Sequence, residues 1–515
     1  MQKTTDDALS VILERLQRVE DHCTTLTSTK KSTGALEAAE DPAQPRHTSI
    51  YDGTQSNVSS PAPSSVAGGC ATSPWTSFTT PSAAPEVDIA SVLKDAVDQV
   101  QRFRLQSIAA ATITQDVKIP SELCKLWIQN YFTHMHTEMF NSLVNRKLIN
   151  MIPDLLELPH VHLEPAILVV YYSILYHGCA LGATFEGSPD NLHYSRCAAE
   201  CFDEELSWRM YTYAIEYAQK LNLHNLDADA HTGMNLPPPD ETKLDLDRKG
   251  FWELIQIDFF FRLLFNRPPA VTYSLNSWKV NLPWLSTNAQ PDINAVPTIT
   301  FLVSSRMTFI LSRFFQELED PNCNEEEMRP KTEELCEEIN QAFAEWHLGE
   351  LVHRTMTSNN KADAWMASDV AMSGYTFIIF MLRKLSVLRS DSPRPVLCDA
   401  DVPDSPLAVG ASRSLLAIVH GLLVQNPSPE ATCLLFGMYR LYVAFACLLN
   451  SILRAPDVRA RLDDVALVDR VAEVMMLALR GEKDFVPLVR ALQSLGLEVK
   501  RKVNEAGGTT RPCLP

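Results

Sequence analysis

The chain has 515 residues, of which 46% are hydrophobic and 21% charged, and it carries a formal net charge of −18 at neutral pH. This is the composition of a globular protein, long enough for two or three ordinary domains or one large helical body, and it excludes disorder through most of the length. The acidic balance repels a phosphate backbone at long range, so any direct DNA contact needs a local basic module.

The opening stretch, MQKTTDDALSVILERL, mixes acids and bases where a signal peptide would carry an apolar core. The apolar runs 166–181 and 375–382 are too short or too interrupted for the roughly 18 to 20 apolar residues of a bilayer-spanning helix, so no membrane segment is expected. The twelve cysteines are scattered, most of them inside apolar patterns, as in a reducing compartment where thiols act as small hydrophobes.

In chain order, residues 1–28 form a heptad helix. Leu9, Ile12, Leu16, Val19, Cys23 and Leu26 recur at alternating spacings of three and four. With Leu9, Leu16 and Cys23 at a positions, Arg15 and Glu20 fall at g and the following e, where they attract between parallel helices. Dimerisation through this seam is expected, although so short a coil could also dock on its own chain. Residues 29–86 are rich in Ser, Thr, Pro, Ala and Gly, with too little periodic apolar surface to offset ordering entropy, and read as a disordered linker. Ser60-Pro61, Ser73-Pro74 and Thr80-Pro81 are phosphoacceptor candidates within it.

From residue 87 to 502 the periodicity is helical, giving an all-α fold class. Breaks are expected at the proline-rich stretches 236–239, 283–297, 321–330, 392–406 and 427–429. Residues 503–515 read as a flexible tail.

Two helix endings repeat one chemistry. The segment from Trp208 places Met210, Ala214, Tyr217, Ala218 and Leu221 on one face and stops at Asn222-Leu223-His224; Asn tolerates the left-handed conformation that ends many helices. The segment from Arg248 through Phe251, Trp252 and Asp258 stops at Asn266-Arg267-Pro268-Pro269, where tandem prolines forbid continuation.

On these residues the chain resembles the middle homology region of the fungal-specific transcription factors, the regulatory domain usually found downstream of a binuclear zinc cluster. Ala214, Ala218, Leu223 and His224 match the family's paired alanines and Gly-Leu-His step, with Asn222 in place of the glycine. Arg248, Phe251, Trp252, Asp258, Arg267, Pro268 and Pro283 match its second motif, with Asn266 again replacing glycine. The 126–136 helix and Ala342-Phe-Ala-Glu-Trp346 are similar to an earlier and a later helix of that family. The resemblance covers residues 120–350 well, and beyond that only by continued helicity.

The roles expected of these residues are structural. Asp258 and Arg267 are read as a cap or ion pair near a helix C-terminus, Phe251, Trp252, Phe259, Phe260 and Phe261 as core, and His224 as a satisfied structural histidine. A binuclear cluster needs closely spaced thiolates, and no Cys-x2-Cys occurs in the sequence. Cys197 with Cys201, His134 with His136, and His160 with His162 are too sparse or wrongly spaced for a metal site. Asp227-Ala-Asp229 and Asp399-Ala-Asp401 read as solvated loop acids. There is no nucleophile elbow, phosphate loop or dinucleotide fingerprint. No catalytic, cofactor or metal residue is assigned, zinc entering only with an upstream cysteine cluster. The acidic stretch 317–338 is read as a solvated helix face, and Lys500-Arg501-Lys502 as a short basic run that could serve nuclear import.

The resemblance implies a nuclear transcriptional regulator of a metabolic or secondary-metabolite gene set. Its partners would be a second copy or a related transcription factor, the transcription machinery, and a small effector, with DNA reached through a separate module and no membrane involved. A cluster-less co-regulator acting by heterodimerisation is one alternative. A helical ligand-binding protein or enzyme unrelated to transcription is the other.

Overall fold

A computed structural model describes residues 89–114, 119–134, 144–164, 167–168, 170–175, 178–179, 204–228, 241–271, 278–283, 295–319, 324–358, 360–388, 402–403, 405–425, 427–455 and 458–508. The chain divides into two units, Met1–Val87 and Asp88–Pro515, and every described residue lies in the second. Among the described residues the regular structure is helical throughout, without a strand.

The helices, in order, are α1 (Ile89–Thr114), α2 (Ser121–His134), α3 (Arg146–Leu156), α4 (Glu204–Lys220), α5 (Glu241–Phe265), α6 (Ala295–Leu318) and α7 (Glu325–Glu345). They continue as α8 (Leu348–Met356), α9 (Lys361–Leu388), α10 (Pro406–Gln425), α11 (Pro429–Met438), α12 (Leu441–Arg454), α13 (Leu462–Ala478) and α14 (Val486–Gly508). Side-chain caps set several of the starts, because the first N–H groups of a helix have no intrahelical acceptor. The Asn145 amide oxygen accepts from the backbone of Lys147 (3.1 Å) and Leu148 (3.2 Å), Asn324 from Glu327 (2.9 Å), and Ser428 from Ala431 (3.1 Å) with Pro429 next in line.

The expected break over 321–330 ends sooner than its prolines suggest, since the helix restarts at Glu325. Pro330 lies inside α7 and Pro153 inside α3. Each forfeits one backbone hydrogen bond, and buried apolar side chains, Met328 and Leu335 flanking Pro330 and Ile149 and Ile152 beside the buried Pro153, hold the helix in place. The last helix also runs to Gly508, beyond the expected boundary at 502. Apolar positions Leu492, Leu495 and Val499 bury one face of it against α1, and the helix propagates from there.

Helix α9 is the axis of the body, packing against α5, α6, α7, α8 and α10. Helix α10 in turn carries α12 and α13, and α1 closes over α12 and α14. A smaller core joins α2 and α3 to the 170–179 stretch through Trp127, Ile128, Ile149, Ile152, Tyr171 and Leu175.

The apolar runs are longer than the sequence reading allowed. Asp363–Leu385 and Pro406–Gln425 are long and apolar enough to cross a membrane by length and composition, with mean hydropathy 1.3 and 1.7. Both are packed against neighbouring helices, with 78% of the first window and 44% of the second buried inside the protein. The first is surrounded by protein on most sides, and such a helix needs apolar residues all round, just as one surrounded by lipid does.

Candidate functional site

Tyr211, Ile215 and Ala218 of α4 are buried, and Tyr211 reaches α5. The face expected from the sequence is therefore displaced: Ala214, Tyr217 and Leu221 are exposed. Apolar and aromatic residues occupy more than one side of α4, and the side that carries a hydrogen-bonding partner for α5 is the one buried. The Tyr211 hydroxyl donates to the Leu254 carbonyl at 2.9 Å, and its ring stacks on Phe261 with centroids 5.4 Å apart. Trp208 meets Phe261 edge-on at 5.2 Å. Past α4 the chain turns at Asn222, in the left-handed region with φ 57°, and buries Leu223.

The segment that follows is strapped to residues 279–281. The His224 carbonyl accepts from the Lys279 amide (2.9 Å), and the Asp227 amide donates to the Lys279 carbonyl (2.8 Å). Asp227 Oδ2 accepts from the Asn281 amide at 2.6 Å, and the Trp252 indole donates to the Asn281 carbonyl at 3.1 Å. Arg248 locks the strap. Its Nε donates to both Asp227 oxygens at 3.1 Å, and its Nη1 to Asp245 at 2.7 Å. All three side chains are largely buried, so the two carboxylates around one guanidinium form a desolvated network whose partners must all be present. Asp227, read above with Asp229 as a solvated loop acid, is instead largely buried and engaged by Arg248, because the chain folds back onto residues 279–281 there. Asp229 lies outside the described residues.

The second ending also turns left-handed, with Asn266 at φ 53°. Here the expected pairing of Asp258 with Arg267 is replaced. Asp258 Oδ1 accepts from the Ala270 amide at 2.9 Å and sits 3.4 Å from the Tyr211 hydroxyl, while the Arg267 guanidinium lies 5.9 Å from the Trp208 ring centre. Pro268 and Pro269 have no N–H, and beyond them the chain brings the Ala270 amide to Asp258. Burial pushes the Asp258 carboxyl above the usual carboxylate range, opposed by the Ala270 N–H, by the Arg262 charge and by further hydrogen bonds.

Asp258 also lines a half-open cavity of about 140 Å³ between α5 and α6. Ile255, Phe259 and Arg262 face Ser312, Phe315, Gln316 and Glu319 across it, with Val271 and Trp278 on the side of the returning chain. The Arg262 guanidinium stacks over Phe315 at 4.0 Å and Phe259 at 5.3 Å, and pairs with Glu319. Lys384 of α9 lies over the same Phe315 ring at 5.7 Å and donates to Asn266 Oδ1 at 2.6 Å. Among the described residues no carboxylate pairs with Lys384, and burial together with the Arg262 and Arg383 charges lowers its pKa to about 8. Its placement beside the C-terminal end of α5 supplies a cation where the helix dipole favours one.

Of the aromatic residues expected in the core, Phe251, Trp252, Phe259 and Phe261 are buried and Phe260 is half-buried. The seam Leu9, Ile12, Leu16, Val19, Cys23 and Leu26 lies outside the described residues. Among the described residues no group of three or more His, Cys, Asp or Glu could hold a metal ion, and Cys124, Cys179, Cys336, Cys433 and Cys447 are free and buried. Sequence reasoning missed Asp245, Asn281, Arg262, Glu319 and Lys384. The three-residue step from Asp245 to Arg248 was the one signal available, since helical neighbours at that spacing can pair.

No family model matches the chain, and neither a curated protein nor a solved structure does. The likeness to the fungal regulators accordingly rests on the quoted residues alone.

Proposed function

We propose that the chain is a fungal-type transcriptional regulator whose helical body is a regulatory domain that binds proteins and a small effector, with DNA reached through a separate module or a partner. What supports this reading is the interlocking of the residues that carry the resemblance. His224 and Trp252 are bonded to residues 279–281, with Arg248 holding Asp227 beside them, while Asp258 and Asn266 shape the far end of α5, where Asp258 meets Tyr211 of α4, so the motif residues share the task of fixing α5 and the chain on either side of it.

The test is a reporter experiment. The full chain is fused to an unrelated DNA-binding domain and expressed in yeast, and a fluorescent fusion reports its location. The expected result is nuclear accumulation with a reporter change of several-fold that is lost when Arg248→Met disrupts the strap. Exclusion from the nucleus together with an unchanged reporter would overturn the reading. In parallel, the purified chain is expected to carry no stoichiometric zinc and to bind no DNA sequence selectively.

The cavity beside Asp258 favours a second reading, a helical ligand-binding protein unrelated to transcription. It predicts small-molecule binding by a chain that leaves the reporter unmoved.

A further inference from the structure

We infer that the cavity between α5 and α6 is a site for a small organic carboxylate, with Arg262 as its anchor and Glu319 as an internal mimic that the ligand displaces. The inference names the class of effector in the function proposed above. Binding itself is measured without any transcriptional readout, so either claim can fail alone.

The volume comes first. About 140 Å³ is close to the roughly 150 Å³ of an engineered apolar cavity that accepts benzene, so the site suits a ligand of six to ten heavy atoms. Its lining is divided: Ile255, Phe259, Val271 and Phe315 offer apolar surface, whereas Asp258, Arg262, Ser312, Gln316 and Glu319 are polar. A ligand with a short apolar or aromatic body and one polar head fits that division.

The sign of the head follows from the charges. Arg262 is held by ring stacking on Phe315 and Phe259, so its orientation does not depend on its acid partner. Its own side chain is 10% exposed, while that of Glu319, in the turn just past the end of α6, is 61% exposed. Glu319 can therefore swing into solvent at little cost while Arg262 stays in place. Lys384 adds a second cation 5.7 Å over the same Phe315 ring, its ammonium donating to Asn266. With Glu319 swung away, the Arg262 guanidinium is left in the cavity wall for an incoming anion, and the Lys384 charge behind Phe315 adds to the positive field there. A carboxylate then recovers the bidentate geometry that a guanidinium prefers. Asp258 Oδ1, at the same cavity, is engaged by the Ala270 amide at 2.9 Å.

The experiment titrates the purified full chain with sodium benzoate and sodium isobutyrate at constant ionic strength, by calorimetry and thermal shift, with benzamide as the neutral control. One-to-one saturable binding in the millimolar range is expected for at least one of the two carboxylates, with benzamide at least about tenfold weaker. Glu319→Gln removes the competitor on a largely exposed side chain and should tighten binding by about fivefold with the fold intact. Lys384→Met should weaken it by about threefold, and Arg262→Gln should abolish it. If Arg262→Gln fails to fold, the opposite signs of the Glu319 and Lys384 variants decide the matter. Absence of saturable carboxylate binding up to about 10 mM, equal binding of benzamide, or an unchanged affinity in Glu319→Gln would each overturn the proposal.

Discussion

The region around α4 and α5 and the region around α12 are built on opposite principles. Near α5, position is held by directional contacts over long stretches of sequence: Arg248 on Asp227, Asp258 on the Ala270 amide, Trp252 on the Asn281 carbonyl. In α12, every residue from Leu441 to Leu449 is buried, and its packing against α10, α1 and α13 depends on apolar volume. The first kind of region has few acceptable side chains at each lock. The second tolerates many sequences of equal bulk, because dispersion and burial have no preferred partner. Motif-like residues are accordingly legible near α5 and absent from α12.

The comparison can be broken at its strongest point first. Phe445 is fully buried and stacked near Phe436, so Phe445→Ala should cost about 3–5 kcal/mol in urea unfolding, whereas Phe445→Leu should cost much less. An equally severe Phe445→Leu would mean that α12 is as exacting as the strap. Next, Arg248→Met leaves Asp227 and Asp245 without their cation and should destabilise by about 3 kcal/mol. Adding Asp227→Asn should return part of that loss, and strictly additive effects in the cycle would show that the lock is not a unit.

Smaller effects sharpen the picture at the second helix ending. Asn266→Val puts a β-branched side chain at φ 53° and should cost about 1–2 kcal/mol, while Asn266→Gly stays near neutral; equal costs would argue that the lost Lys384 hydrogen bond, not the backbone, matters there. The last prediction concerns pH. Lys384 titrates near 8 in the folded protein against an ordinary 10.5, so the unfolded chain binds more protons between those values. Stability from this group is then present above pH 10.5 and lost as pH falls to about 8. Relative to Lys384→Met, the wild type should gain stability as pH rises across that window, and parallel pH profiles would refute the burial of that ammonium.

Much of the fold was readable in advance. The all-α character followed from the apolar period, and both left-handed turns from an Asn placed where a helix had to stop. The buried face of α4 was not readable, because Tyr211, Tyr213, Tyr217 and Leu221 spread apolar surface around the helix and only the partner selects a side. The cavity was equally invisible: Arg262 of α5 and Glu319, just past α6, meet only when these elements pack.

What the sequence determined by itself is local. The caps at Asn145, Asn324 and Ser428, the stops at Asn222 and Asn266 and the turn forced by Pro268 and Pro269 all depend on backbone geometry within a few residues. The tertiary structure alone decided which charges meet. Arg248 finds Asp227 across 21 residues of chain and Arg262 finds Glu319 across 57. Asp258, for which Arg267 was the neighbour in sequence, is claimed by an amide that the tandem prolines turn back toward it. Side-chain pairing follows the path of the folded backbone, and that path is set by burial summed over the whole body.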